Sequence, residues 1–139
     1  MTTARDMRHL GAQCIGEHES MADPARMMRD LGVGSLPICG DDQRLKGIIT
    51  DRDIVVRCLA EGRDPASMTA ADMAQGRPFV VDADADAGDV LRSMTEHRVK
   101  RMPVIDDHRL VGMISEADLA RHLSDDQLAI FVESVYGRA

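Results

Sequence analysis

Two segments of the chain carry a hydroxyl and a carboxylate three residues apart. Thr50 is followed by Asp53, and Ser115 is followed by Asp118. A carboxylate can accept hydrogen bonds from two neighbouring hydroxyls of a ligand, and a Thr or Ser hydroxyl can bind a phosphate oxygen. The same spacing is a helix capping box, in which both side chains bind backbone amides at the helix start. Both roles stay open, because these residue types suit either one.

These two segments occupy equivalent positions of an internal repeat. Asp72-Met73 repeats Asp6-Met7 sixty-six positions on, and Gly112–Asp118 repeats Gly47–Asp53 sixty-five positions on. One residue is therefore missing from the second copy, in a polar turn, since loops tolerate length changes that strands do not. The repeat predicts two related units in one chain.

Each copy has the pattern strand, helix, strand, strand, helix. In the first copy we predict that Ser20 caps a helix and that a hairpin spans 35–49. Pro37 marks its strand as an edge strand or as the place where a strand enters the sheet. In the second copy we predict a first strand at 78–81 and a helix from Asp86. The predicted segments are repeat 1 (1–62), a linker (63–66), repeat 2 (67–123) and a C-terminal helix (124–139).

The composition excludes some classes of partner. A net charge of -7 argues against nucleic-acid binding, which needs a basic surface. No apolar run is long enough for a membrane span and the amino terminus lacks a secretory signal, so we expect a soluble, cytoplasmic protein. Aromatic residues are only 2% of the chain, so a bound base would lie mainly between aliphatic side chains.

The repeated pattern resembles a pair of CBS domains, the assembly called a Bateman module. The resemblance rests on an apolar-Pro-apolar strand, a polar turn, and then Gly-apolar-apolar-Thr/Ser-x-x-Asp, present twice over about residues 3–123. More narrowly, 37–42 and 50–55 resemble the actinobacterial hypoxic response protein 1 group. The resemblance implies an α/β (α+β) fold of two β-α-β-β-α repeats, packed by pseudo-twofold symmetry and often paired again as a homodimer.

The resemblance also implies a ligand. CBS pairs bind adenosine-containing molecules such as AMP, ADP, ATP or S-adenosylmethionine in clefts between the copies. The implied contacts are Thr50 and Asp53 with the backbone of Ser35, Leu36 and Pro37 at the first site, and Ser115 and Asp118 with the backbone of Arg101, Met102 and Pro103 at the second.

The two predicted sites differ in the number of positive charges beside them. Lys100 and Arg101 precede the proline of the second copy, where the first copy has Gly34 and Ser35. Cationic side chains bind phosphate, so the second site is the better candidate for a phosphorylated ligand. The alternative is that these charges only solvate a helix end, where cations favour the dipole.

The three cysteines fit no zinc-finger spacing. The repeat alignment places Cys14 and Cys39 on neighbouring strands, so a disulfide between them is one interpretation. Two buried reduced thiols are the other, because disulfides are rare in the cytosol. We expect Cys58 to lie in the core.

His97 and His122 lie near helix ends of the second copy. They could provide two imidazole ligands to zinc, completed by a carboxylate or a partner subunit. The more common role of such histidines is a solvated helix end, and we expect no required cofactor.

The carboxyl-terminal helix has one apolar stripe, formed by Leu128, Phe131, Val132 and Val135. This stripe either packs on its own domain or forms a self-association surface.

Two classes of function remain. The first is a stand-alone regulatory sensor of an adenosine ligand, which acts alone or through a separate protein partner and responds to stress. The second is a ligand-free structural or interaction protein, stabilised by a disulfide or a metal. We expect no enzyme, since no nucleophile, base and orienting group recur at a catalytic spacing.

Overall fold

The computed structural model describes residues 1–10, 13–73 and 78–137. Its strands are β1 (Ile15–Gly16), β2 (Ser35–Cys39), β3 (Leu45–Thr50), β4 (Val81–Asp82), β5 (Arg101–Asp106) and β6 (Arg109–Ser115). Its helices are α1 (Ala4–Met7), α2 (Ala22–Leu31), α3 (Asp51–Asp53), α4 (Ala70–Met73), α5 (Ala87–His97), α6 (Glu116–His122) and α7 (Asp125–Tyr136). A π-helix over Ile54–Leu59 continues α3. The predicted mixed fold of helices and strands is confirmed.

The chain forms two compact units. Unit 1 combines Met1–Gly11 with Phe79–Ala139, and unit 2 is Ala12–Pro78. The units differ from the predicted repeats at their leading segments. Helix α1 of repeat 1 belongs to the unit that holds the strands of repeat 2, and α4 of repeat 2 belongs to the unit that holds the strands of repeat 1.

Unit 2 is built on a sheet with the order β1-β2-β3. Strand β2 is parallel to β1 and antiparallel to β3, and β1 pairs only with Ile38 and Cys39. Pro37 therefore has a strand partner on the β3 side alone, which suits a residue without a backbone N–H. The core is made of aliphatic, methionine and cysteine side chains: Ile15, Met21, Met28, Leu36, Ile38, Ile49, Ile54, Cys58, Met68, Ala70 and Met73.

The predicted capping box at Ser20 is wrong. Helix α2 begins at Ala22, and its N-terminal flanking residue Met21 makes no side-chain cap hydrogen bond. Ser20 instead forms an antiparallel bridge with Thr69, so its backbone is already engaged in extended pairing. Gly32 ends α2 with a φ of 68°, a conformation that glycine adopts without a steric cost.

Unit 1 repeats this sheet as β4-β5-β6. Strand β4 comprises Val81–Asp82 rather than 78–81, because the parallel pairing with β5 begins only at Val81. Helix α5 begins after Asp86 as predicted, and Asp86 accepts a hydrogen bond from the Asp89 amide. Helix α1 adds Ala4 and Met7, both fully buried, to the core of this unit.

Helix α7 packs on its own unit. Ser124 and Gln127 form a capping box at its start. Phe131 is 1% exposed within the core of unit 1, and Leu128 and Val135 pack against that core. Val132 is 50% exposed, so the stripe is only partly covered. Among the helices of the described segments, none is long and apolar enough to cross a membrane.

Candidate functional site

Both hydroxyl-carboxylate motifs lie where a hairpin strand passes into a helix. Thr50 ends β3 and Ser115 ends β6. The Thr50 amide donates to Asp53 Oδ2 at 3.0 Å, and the Asp53 amide donates to Thr50 Oγ1 at 3.1 Å. Ser115 and Asp118 make the same reciprocal pair. Both motifs are therefore helix caps, whatever else they bind.

Strand register brings each motif next to its proline segment. Ser35 is the register partner of Thr50 in unit 2, and Arg101 is the register partner of Ser115 in unit 1. Leu36 and Met102 are 2% and 0% exposed as whole residues, so the partly exposed part of each segment is its first residue, Ser35 or Arg101. Pro37 and Pro103 are buried next to them. Each unit thus places a hydroxyl, a carboxylate and a strand backbone side by side.

The carboxylate of Asp118 is buried and fully engaged. Its side chain is 2% exposed. Its Oδ2 accepts hydrogen bonds from His9 Nδ1 at 2.7 Å, from the Ser115 amide at 2.8 Å and from Ser115 Oγ at 3.0 Å. Its Oδ1 accepts from Arg121 Nη2 at 2.8 Å. Both oxygens are therefore engaged, with three donors on Oδ2 and one on Oδ1.

At the Asp118 carboxylate, hydrogen bonds together affect the pKa more than burial does. Burial alone would raise the pKa of Asp118, but the hydrogen bonds from His9, Ser115 and Arg121 hold that pKa below its usual value. Asp118 is therefore an anion at neutral pH with cationic or polar partners on every side. Sequence reasoning identified Asp118 but missed His9, which lies 109 residues away and precedes the repeated strands.

The corresponding carboxylate in unit 2 has a different setting. Asp53 is half-buried rather than fully buried. The repeat offset places Gln75 where repeat 1 has His9, and Gln75 lies outside the described residues. The two motifs therefore share a cap and differ in the burial of their carboxylates.

The cations that were predicted to bind phosphate have partners within unit 1. Lys100 Nζ lies 4.4 Å from the centre of the Tyr136 ring. Arg101 Nη1 and the Tyr136 hydroxyl both donate to Glu116 Oε1, at 3.4 and 2.7 Å. Burial and the Glu116 carboxylate raise the pKa of the Tyr136 phenol. A phosphate at this place would have to compete with Glu116 for Arg101.

The structure joins Cys14 and Cys39 as a disulfide between the start of β1 and the end of β2, with 5.5 Å between their Cα atoms. This separation lies inside the range that a disulfide requires. Cys58 is fully buried, as predicted, and its Sγ donates to the Arg63 carbonyl at 3.6 Å.

The two candidate zinc ligands have separate surroundings. The His97 ring stacks on Phe79, with 3.7 Å between ring centres. His122 Nδ1 donates to the Asp118 carbonyl at 2.9 Å, since a carbonyl only accepts, and Nε2 is the ring nitrogen that this bond does not use. Within residues 1–10, 13–73 and 78–137, no three His, Cys, Asp or Glu side chains are grouped to hold a metal.

Comparison with known proteins identifies the family. The family model described as CBS domain matches residues 5–59 and again residues 70–125. The chain belongs to the CBS-domain family. It is a tandem CBS protein, and the two matches coincide with the two copies of the internal repeat.

Individual relatives show which members of the CBS-domain family this chain is similar to. Hypoxic response protein 1 of Mycobacterium tuberculosis is 50% identical over 135 residues, which cover 97% of this chain and 94% of the relative. The crystal structure of Hypoxic Response Protein I with two coordinated zinc ions is 52% identical, with a TM-score of 0.81 over 88% of this chain and 100% of that one. A hexameric CBS-CP12 protein from bloom-forming cyanobacteria is 25% identical, with a TM-score of 0.77 over 88% of this chain and 71% of that one. The chain is thus a CBS-pair protein similar to the hypoxic response proteins.

Proposed function

We propose that this CBS-pair protein regulates a partner by binding an adenosine-containing ligand of the AMP, ADP or ATP class. The observation that carries the proposal is the strand register that sets Thr50 opposite Ser35 and Ser115 opposite Arg101. A hydroxyl and a carboxylate suited to ribose and phosphate thereby lie beside a strand backbone that can bind a base edge. The whole pattern occurs twice, which a helix cap alone does not require.

The unit 2 motif is the stronger candidate for direct binding. Asp53 is half-buried, whereas Asp118 is 2% exposed with four hydrogen bonds already made. Lys46 does not add to this motif, because it lies at the opposite end of β3 from Thr50, roughly 13 Å along the strand, and its Nζ pairs with Asp42 at 3.7 Å.

Thermal unfolding tests this proposal. The midpoint would be measured with AMP, ADP, ATP and S-adenosylmethionine at millimolar concentration. Ligand at about a hundred times its Kd adds about 2.7 kcal/mol, which moves the midpoint by several degrees. Asp53→Asn keeps the cap shape and should reduce the shift. Asp51→Asn, an exposed carboxylate on the same helix turn, is the matched control and should retain it.

Two outcomes would count against the proposal. If no adenosine compound raises the midpoint, the regulatory function by ligand binding fails. If ligands raise the midpoint equally in the parent protein and in Asp53→Asn, binding occurs elsewhere and the assignment of the unit 2 motif fails.

The second candidate function is a ligand-free interaction protein that binds zinc. A relative at 52% identity was crystallised with two coordinated zinc ions, and in this chain the bond from His122 Nδ1 to the Asp118 carbonyl leaves Nε2 as the nitrogen that could ligate a metal. Bound zinc would supply a structural cross-link, with His97 and His122 as the imidazole ligands from this chain. Metal analysis of protein purified with and without zinc tests this candidate. Less than one zinc per two chains would contradict it.

The proposed assembly is a homodimer that acts on a separate protein partner. The π-helix of unit 2 exposes Val55, Val56 and Leu59, with exposed fractions of 55%, 42% and 54%. Adjacent exposed apolar side chains of this size favour self-association. We propose a regulatory rather than a catalytic role, because the acidic residues of both motifs already serve as helix caps. We also propose that the protein acts in the cytoplasm and in response to stress.

A further inference from the structure

The environment of His9 bears directly on the unit 1 motif. The His9 backbone is fixed, since its amide donates to the Met113 carbonyl at 2.9 Å and its carbonyl accepts from the Met113 amide at 3.4 Å. Its side chain is 40% exposed, while the Asp118 side chain beneath it is 2% exposed. The ring therefore covers the carboxylate and faces solvent on its other side.

This geometry makes His9 a competitor for any ligand of Asp118. The bond from Nδ1 to Oδ2 is 2.7 Å long, and a ribose hydroxyl that donated to Oδ2 would need the same place on this acceptor. Oδ2 already accepts two further bonds from Ser115, so it has no capacity for a fourth donor. Rotation of the His9 side chain would free this acceptor without breaking the backbone pairing with Met113.

We propose that His9 is an internal latch on the unit 1 motif, which a ribose-bearing ligand must displace to reach Asp118. The proposal rests on the adenosine-binding function proposed above. It makes the two motifs of one chain unequal, with unit 1 closed by an imidazole that stands in for the ligand. The ligand then binds unit 1 only at the cost of the His9 hydrogen bond.

The sequence supports this inequality. The position equivalent to His9 in the repeat is Gln75, so only one of the two copies supplies an imidazole. The bond from this imidazole to Asp118 is charge-assisted, because its acceptor is a buried carboxylate, and such bonds are stronger than those between neutral groups. A latch of this kind sets the ligand concentration at which unit 1 responds.

Arg121 is the other possible cover for Asp118. It binds Oδ1, comes from the same helix three residues on, and has a side chain that is 63% exposed. An exposed arginine can move aside without displacing any buried group. His9 differs because it belongs to a segment far away in sequence and lies over the oxygen that also caps the helix.

Calorimetric titration with ATP tests the latch in a chain whose unit 2 motif is disabled by Asp53→Asn. In that background, His9→Ala should tighten ATP binding about 10- to 100-fold, the range for losing one competing hydrogen bond to a charged group. His9→Gln, which introduces the residue type found at the equivalent position of the repeat, should give a smaller gain. His18→Ala is the control, since His18 is 78% exposed and pairs only with Glu17, and it should change nothing.

A second measurement does not depend on the stability of a variant. In the protein with an intact His9, histidine nitrogen NMR should show the His9 ring changing its chemical shift as ATP fills unit 1, while His18 stays unchanged.

Asp118→Asn added to His9→Ala should abolish the gain in affinity, because the ribose acceptor is then weakened.

The results separate the latch from the proposed function. If ATP binds but His9→Ala leaves its affinity unchanged or weaker, the latch is wrong and the adenosine-binding function stands. A gain with Arg121→Ala in place of His9→Ala would assign the cover to the arginine and overturn the latch. If neither the parent chain nor any variant binds ATP, the latch fails, and the proposed function fails as well if AMP, ADP and S-adenosylmethionine also leave the unfolding midpoint unchanged.

Discussion

Asp118→Asn should lower the stability of the unliganded protein more than any other carboxylate-to-amide change at a helix start. The variant keeps the shape of the side chain and one acceptor oxygen. It loses the negative charge that binds His9 at 2.7 Å and Arg121 at 2.8 Å. It also leaves an amide group facing the Ser115 cap, where a carboxylate accepted two bonds.

The size of the effect follows from burial. A hydrogen bond to a charged group contributes about 1.5–3 kcal/mol when the charge is buried, as Asp118 is. The Arg121 pair adds less than about 1 kcal/mol, because the arginine side chain is mostly exposed. A loss of about 2–3 kcal/mol is therefore expected, or a fall of roughly 6–12 °C in Tm for a chain of this length.

The assay is urea unfolding monitored by circular dichroism, with Asp125→Asn as the control. Asp125 is an exposed carboxylate in the first turn of α7, so its amide variant should lose less than about 0.5 kcal/mol. If the two variants were equally stable, the four hydrogen bonds at Asp118 would contribute nothing, and the account of this carboxylate would be refuted.

The pH dependence of this effect has a defined sign. The folded-state pKa of Asp118 is depressed, so its stabilisation is complete above the unfolded-state pKa of about 3.9. The contribution is lost as the pH falls through the folded-state pKa. The stability difference between parent and Asp118→Asn should therefore be large at neutral pH and shrink below about pH 4. A difference that grew on acidification would contradict the assigned direction.

Three further predictions concern other parts of the fold. Gly112→Ala should destabilise the protein by about 1–3 kcal/mol in urea unfolding, because a Cβ there would lie 2.9 Å from Arg8 Cγ and 3.0 Å from Arg8 Cβ; wild-type stability would show that Arg8 moves aside freely. Replacing Cys14 and Cys39 by serine should cost about 3.5 kcal/mol under oxidising conditions, from a sequence separation of 25 residues; an equal Tm for the parent with and without reductant would contradict this. Leu59→Glu should turn the proposed dimer into a monomer in light scattering, since Leu59 is 54% exposed; an unchanged mass would place the interface elsewhere.

Local patterns in the sequence predicted the local structure well. The motif at Ser115 and Asp118 and the box at Ser124 are helix caps, because a cap needs only residues three positions apart. The hairpins followed from their apolar strands and polar turns. Ser20 failed as a cap because Thr69 pairs with its backbone, and such distant pairing leaves no mark in a short window of sequence.

Long-range partners could not be predicted from the same patterns. The sequence favoured the motif of repeat 2, which lies in unit 1, as the phosphate site because Lys100 and Arg101 precede Pro103. In the structure, Glu116 and Tyr136 already contact these two cations. His9 reaches Asp118 because the leading segment of repeat 1 belongs to the unit that holds the strands of repeat 2. The repeat pattern by itself does not show which sheet a leading segment joins. The repeat did hold one signal, since His9 and Gln75 differ at equivalent positions.

Equilibrium titration with ATP, ADP and AMP tests the central claim most directly, with the parent chain compared with the double variant Asp53→Asn, Asp118→Asn. The account predicts saturable binding of at least one of the three to the parent chain. It also predicts a loss of about tenfold or more in the double variant, since each ribose carboxylate becomes a neutral amide. Equal affinity in the two proteins, or no binding to the parent chain, would contradict the assignment of these motifs to an adenosine ligand.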